Sequence, residues 1–177
     1  MLSCGHNKFV KDAHIVTDQT TIEISKEDIK FSAAHFTIFS ATERERLHGH
    51  NFAVMLSVTA PVGDDGICFS YKEIKTRLRE ICDSLDEYML LPTQSPYLTI
   101  AEEGEFYFAL FNGERIPFLK KETLLLPIRN TTVEELARHV LNLFIDDGSF
   151  VRDRNIMAVE VKVSSGPGQR GSRCWPA

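Results

Sequence analysis

The chain has 177 residues and 43% hydrophobic content, which suits one domain with a sizeable core better than two. Its net charge of −5 and pI of about 5.7 leave no basic footprint for nucleic acid or for an anionic membrane surface. The longest apolar runs, such as LLLPI, are too short to span a bilayer, and the opening MLSCGHNKFVKDAH lacks the apolar stretch of a secretory signal.

Residues 1–18 are polar and weakly patterned and read as an appended arm; residues 19–177 read as a single domain. The pattern sharpens at Thr20. TTIEIS and IKFSAAHF read as strand, with Phe31, Ala33 and His35 on one parity. Phe52, Val54, Leu56 and Val58 alternate on one strand face. The GDDG at 63–66 marks a turn, and ICFS reads as a return strand. Ser70 stands three residues before Glu73, the spacing of a capping box, and Ile74, Leu78, Ile81, Cys82 and Leu85 follow at helical spacing. Asn112-Gly113 lies between the apolar runs 106–111 and 115–119, a hairpin signal. A second helix opens at Thr131 or Thr132, with Val133, Leu136, Ala137, Val140, Leu141 and Phe144 as its buried stripe. A last strand spans 157–163 with its odd positions apolar, and the tail GPGQRGSRCWPA is turn-rich and basic. This order predicts an α+β domain with a mostly antiparallel sheet. Cys4, Cys68, Cys82 and Cys174 are scattered without CxxC spacing, so a reducing cytoplasm is the expected setting.

His48 and His50 flank one glycine, and in an extended segment that spacing points both side chains to one face. His35 shares the parity of Phe31 and Ala33. If the strands that carry them lie side by side, three imidazoles converge with a fourth position open, the layout of a catalytic zinc site. Spacing alone leaves open the plainer reading of one core and two surface histidines.

Taken in order, FSAAHF, LHGHNF, LDEYMLLP and NTTVEELA resemble the 6-pyruvoyltetrahydropterin synthase / 6-carboxytetrahydropterin synthase family, over Phe31 to Gln169. The resemblance implies the tunnelling fold, a four-stranded antiparallel sheet with two helices on one side. It also implies a homo-oligomeric ring, commonly a hexamer, with active sites between subunits. It implies that His35, His48 and His50 hold one zinc ion (Zn2+), which polarises the side-chain oxygens of a dihydropterin substrate. The implied activity is that of a lyase on a dihydropterin triphosphate side chain. Two other readings stay open: the same scaffold with a non-standard substrate, and a non-catalytic oligomer that binds metal or ligand.

The chain departs from the family pattern at several positions. The usual catalytic cysteine before HGH is missing, and the chain reads ERERLHGH. A subgroup of the family has a glutamate there, and it cleaves the side chain of dihydroneopterin triphosphate to leave 6-hydroxymethyldihydropterin. Glu45 falls on that glutamate and is the candidate general base; on charge alone, the alternating run 43–46 reads as a solvated loop. The family's Leu-Asp-His motif is Leu85-Asp86-Glu87 here, so Asp86 remains as a catalytic candidate without its histidine. The family's pterin-anchoring glutamate falls on Ser165, which lacks the charge and the paired acceptors of a carboxylate. Thr132 and Glu134 match the other pterin-contacting segment, and Glu134 either compensates or belongs to the first turn of a helix. Gly166, Pro167 and Gly168 imply a rigid turn, beyond which Arg170 can reach a phosphate.

Overall fold

The computed structural model describes residues 18–146 and 148–176; nearly all of the arm expected at the N-terminus lies outside them. The chain runs β1 (Gln19–His35), β2 (His48–Pro61), α1 (Tyr71–Asp83), β3 (Tyr88–Pro92), β4 (Thr99–Glu103), β5 (Phe106–Phe111), β6 (Glu114–Leu119), β7 (Thr123–Leu126), α2 (Val133–Ile145), α3 (Gly148–Arg152), β8 (Ala158–Gly166) and β9 (Gln169–Trp175). The main sheet has the order β7-β3-β1-β2-β8-β9, and β4-β5-β6 form a second sheet.

The α+β class with an antiparallel centre is borne out, but the sheet is larger than the four strands expected. β1, β2, β8 and β9 are antiparallel neighbours, and β3 and β7 extend them as parallel strands. These two additions are short, apolar and unalternating, so they carry no period-2 signal. One face of the sheet is apolar. Phe52, Val54, Leu56 and Val58 of β2 and Val159, Val161 and Val163 of β8 pack there with Ile74 and Leu78 of α1 and Leu136, Val140 and Phe144 of α2. The opposite face carries Ser32, Asn51, Ser57 and Lys162, as an antiparallel sheet covered on one side allows.

β1 is one strand, although its sequence changes phase. Ser25 pairs with Met55 and Lys30 with Ala53, so four residues of β1 bulge opposite Val54 alone. The bulge flips the parity: Ile22 and Ile24 face the core before it, and Phe31, Ala33 and His35 after it.

ICFS is not a strand. Residues 67–70 form a loop into α1, because β2 already has β1 on one edge and β8 on the other. Ser70 does precede α1, but its side chain makes no cap; Glu73 pairs with Arg154 instead. The Asn112-Gly113 hairpin forms as expected, both residues at positive φ (46° and 79°). The basic tail is a strand: Pro167-Gly168 turn β8 back into β9, with Gly168 at φ 92°. Gly171 in β9 passes so close to the start of α2 that a Cβ there would lie 2.6 Å from the carbonyl carbon of Val133.

The second sheet packs on the main one through Phe36, Ile38, Met89, Leu91, Leu98, Ala109 and Phe111. Among the described residues, no helix is long and apolar enough to cross a membrane.

Candidate functional site

The β1–β2 register decides where the histidines meet. His35 pairs with His48, Ala33 with His50 and Phe31 with Phe52, so all these side chains share one face. The ligand atoms of the three imidazoles lie within 4.8 Å of one another. His35 is 5% exposed, and its Nδ1 donates to the carbonyl oxygen of Thr131 at 2.8 Å. A carbonyl can only accept, so the proton sits on Nδ1 and the lone pair on Nε2. That Nε2 is buried without a hydrogen-bond partner. Burial pushes the His35 pKa down; the Thr131 contact opposes the shift, and His48 and His50 add to it. His35 is thereby kept neutral, the form a metal ligand needs.

His48 Nδ1 donates to the carbonyl oxygen of Arg46 at 2.7 Å, and its Nε2 lies 3.1 Å from Nε2 of His50. A tetrahedral metal with bonds of about 2.0–2.1 Å holds its nitrogens about 3.3 Å apart. The orphaned His35 Nε2 and the close pair of ring nitrogens therefore fit a bound metal ion. The remaining NH groups on carbonyls are the usual outer partners of metal-bound imidazoles.

Glu45 stands on the loop between β1 and β2. Its amide donates to the Thr37 carbonyl at 2.8 Å, and its Oε2 accepts from the Thr37 amide at 3.0 Å. The same oxygen is 3.9 Å from His48 Nε2. Burial works against its charge, but hydrogen bonding from Thr37 and the nearby His48 and His35 outweigh it and hold the carboxyl below its ordinary range.

These groups line a cavity of about 160 Å³, which Thr132, Glu134 and Ser165 also border. Glu134 is exposed in the first turn of α2, and Thr132 is the residue just before that helix. Ser165 Oγ accepts from Gln169 Nε2 at 3.2 Å. Arg170 lies apart, on a separate cavity with Lys26 and Ser164. Asp86 also stays apart from the histidine cavity. Its Oδ1 accepts from the Ser32 amide at 2.6 Å, while Glu87, at φ 61°, donates its amide to the Ser32 carbonyl. Glu87 borders a larger cavity of about 590 Å³ with Asn51, Tyr88 and Phe118.

Sequence reasoning missed the groups that hold this site together. Asn130 accepts from the Ile38 amide and donates to the Ile38 carbonyl, and Thr131 Oγ1 donates to the Phe36 carbonyl at 2.8 Å. Glu135 accepts from the Arg129 amide and from the guanidinium groups of Arg129 and Arg138. Asn130 and Thr131 stand in the NTTVEELA run, but nothing local marks their partners. Glu135 reads in sequence as an ordinary acid of a first helical turn.

The sequence model of the 6-pyruvoyl tetrahydropterin synthase family matches residues 23–171. The chain belongs to this family. A Methanocaldococcus jannaschii protein with the provisional name 6-carboxy-5,6,7,8-tetrahydropterin synthase is 28% identical over 142 residues, 80% of this chain and 86% of that one. The crystal structure of the Plasmodium vivax 6-pyruvoyltetrahydropterin synthase is 28% identical, with a TM-score of 0.84 over 89% of this chain and 98% of that one. The Plasmodium falciparum synthase has the same identity and coverage and a TM-score of 0.83. Further Plasmodium vivax structures carry alanine or cysteine in place of a glutamate described as a catalytic residue. Membership in the tetrahydropterin synthase family and a histidine group able to hold a metal thus agree.

Proposed function

We propose that the chain is a zinc-dependent lyase that cleaves the side chain of a dihydropterin triphosphate. The observation that carries this reading is the carboxylate of Glu45 beside three converging imidazoles, one of them with a buried, unpaired nitrogen. It is supported by the Plasmodium vivax relative, in which a glutamate is described as catalytic. Zinc held by His35, His48 and His50 would polarise the side-chain oxygens of the substrate.

The Glu45 carboxylate, held by the Thr37 amide, takes the proton of the hydroxyl on the second side-chain carbon as the bond between the first and second carbons breaks. The second carbon leaves as an aldehyde that keeps the triphosphate, and the first takes the proton back to become the hydroxymethyl group. Thr132 and Glu134 hold the pterin edge; Glu134 supplies the carboxylate that Ser165 lacks, and both stand on the same cavity. Among the described residues Asp86 is bonded to the Ser32 amide and not to a histidine, so a catalytic role for it requires the site of a neighbouring subunit.

A homo-oligomeric ring, a hexamer, suits the sheet. Among the described residues, the outer edge of β9 is unpaired and β1 meets β3 only at Ala33 and Ala34, which leaves most of that side of β1 as an edge. Sedimentation at micromolar concentration is expected to give a symmetric oligomer, and a monomer would overturn it. A cytoplasmic setting agrees with Cys68, Cys82 and Cys174 as free thiols.

The deciding experiment is incubation of the zinc-loaded chain with dihydroneopterin triphosphate, products resolved by chromatography. The expected product is 6-hydroxymethyldihydropterin, lost in Glu45→Gln. No consumption of any dihydropterin would overturn the reading.

A further inference from the structure

Arg44 stands in the charged run that reads in sequence as a solvated loop, yet its side chain is only 19% exposed. Its guanidinium carbon lies 5.1 Å from the ring centre of Phe36 and 5.7 Å from that of Phe111, both buried. Nη1 donates to the Glu45 carbonyl oxygen at 2.9 Å, and Nη2 to Glu114 Oε2 at 2.8 Å. A backbone bridge between Ile38 and Arg44 closes the loop at its base. Phe111 ends β5 and Glu114 begins β6, so these contacts reach the hairpin of the second sheet.

We propose that Arg44 is a positioning residue that ties the Glu45 loop to the β5–β6 hairpin and so sets the Glu45 carboxylate against the metal-site histidines. This inference rests on the reading of Glu45 as the base. Phe36 and Ile38 anchor the root of the loop in the apolar layer between the sheets, but beyond them the anchorage is slight: Phe39 and Leu47 are 57% and 51% exposed. The contacts of Glu45 with Thr37 are local and stay within the loop and its root. Arg44 is the residue next to Glu45, and it carries the tie to the second sheet from the root of the loop out to the carboxylate. A guanidinium suits the task because its flat face stacks on aromatic rings while its fork donates in two directions; an ammonium is a point charge with no plane to stack.

The Glu114 carboxylate is 60% exposed, so its ion pair adds little to global stability. Its loss is expected to act on placement, and a misplacement near 1 Å lowers turnover about 100-fold.

The test uses the zinc-loaded full chain with Arg44→Met, Arg44→Lys and Glu114→Gln. Four quantities are read: kcat and KM for dihydroneopterin triphosphate, zinc content, and amide hydrogen exchange across residues 36–47. Arg44→Met is expected to lower kcat about 100-fold with KM and zinc content unchanged. Exchange at the Thr37 and Glu45 amides should quicken about tenfold, while β2 and α2 stay protected. Arg44→Lys should not restore kcat. Glu114→Gln should give the same signature more weakly, and it decides the matter if Arg44→Met misfolds.

Unchanged kcat and exchange in both Arg44→Met and Glu114→Gln would overturn the proposal, as would exchange raised across the whole sheet. If the wild-type chain consumes no dihydropterin, the proposed function falls. The exchange measurement then decides the tie alone: local quickening upholds it, and unchanged protection overturns it.

Discussion

His35 Nδ1 donates to the carbonyl oxygen of Thr131 at 2.8 Å, across 96 positions of the chain. One contact joins the end of β1 to the entry of α2, chooses the tautomer of His35, and leaves Nε2 facing His48 and His50. The acceptor is main chain, so the loop 127–132 must itself be held in place. Asn130 and Glu135 do this from either side, through Ile38 and Arg129.

The metal prediction follows from that arrangement. The purified chain is expected to hold about one zinc per subunit, the stoichiometry of a three-histidine site. His48→Ala removes one ligand and should leave the protein folded but zinc-poor by elemental analysis. Full zinc content in His48→Ala would remove the assignment.

Pterin affinity should depend on Glu134 rather than on Ser165. Hydrogen bonds to a charged group contribute roughly 1.5–3 kcal/mol, so Glu134→Gln is expected to weaken dihydropterin binding tenfold or more by titration calorimetry. Ser165→Ala should change it little, since Ser165 Oγ is engaged by Gln169. If Ser165→Glu tightens binding tenfold while Glu134→Gln does nothing, the anchor belongs at 165 and this chain lacks it.

Acid should loosen the α2 entry before the core melts. Glu135 is 7% exposed, and the Arg129 and Arg138 hydrogen bonds overcome its burial to hold its carboxyl at about 2, against an ordinary 4.5. A carboxyl lowered on folding stabilises the native state above its unfolded pKa. That contribution, about 3 kcal/mol, fades as the pH falls from about 4.5 toward 2. Denaturant melts of the metal-free chain at pH 6 and pH 3 should show the loss, and Glu135→Gln should flatten it. Equal pH dependence in the variant would show that other carboxyls control the acid response.

Gly171→Ala should cost stability at the joint between β9 and α2. The added Cβ would meet the backbone of Val133 and Glu134 at 2.6–2.7 Å, and backbone cannot turn aside as a side chain can. Overpacking of this kind costs about 1–3 kcal/mol. A lower denaturant midpoint together with weaker pterin binding is expected, because the same displacement moves Glu134. A midpoint equal to that of the wild type would show that β9 is free to shift.

Much of the site was legible because it rests on local periods. Alternation along 31–35 and 48–52 puts His35, His48 and His50 on one face of their strands, whatever the rest of the chain does. The stripes of α1 and α2, the Asn112-Gly113 turn and the alternation of β8 are likewise short-range patterns that tertiary packing used unchanged. Local patterns also misled where partners were already taken. ICFS has strand composition, but β2 has no edge left for it.

What the tertiary structure alone decided depends on pairing between distant segments. The bulge in β1 reconciles two strand phases only against β2. Asp86 is drawn to the Ser32 amide and away from the histidines, and no sequence spacing specifies that contact. Arg44 exchanges a solvated place for a seat between Phe36 and Phe111, because the second sheet brings a ring from 67 positions away in the chain. Sequence sets the direction in which a side chain leaves its own strand or helix; the partner it meets is set by which strands pair and which layers stack.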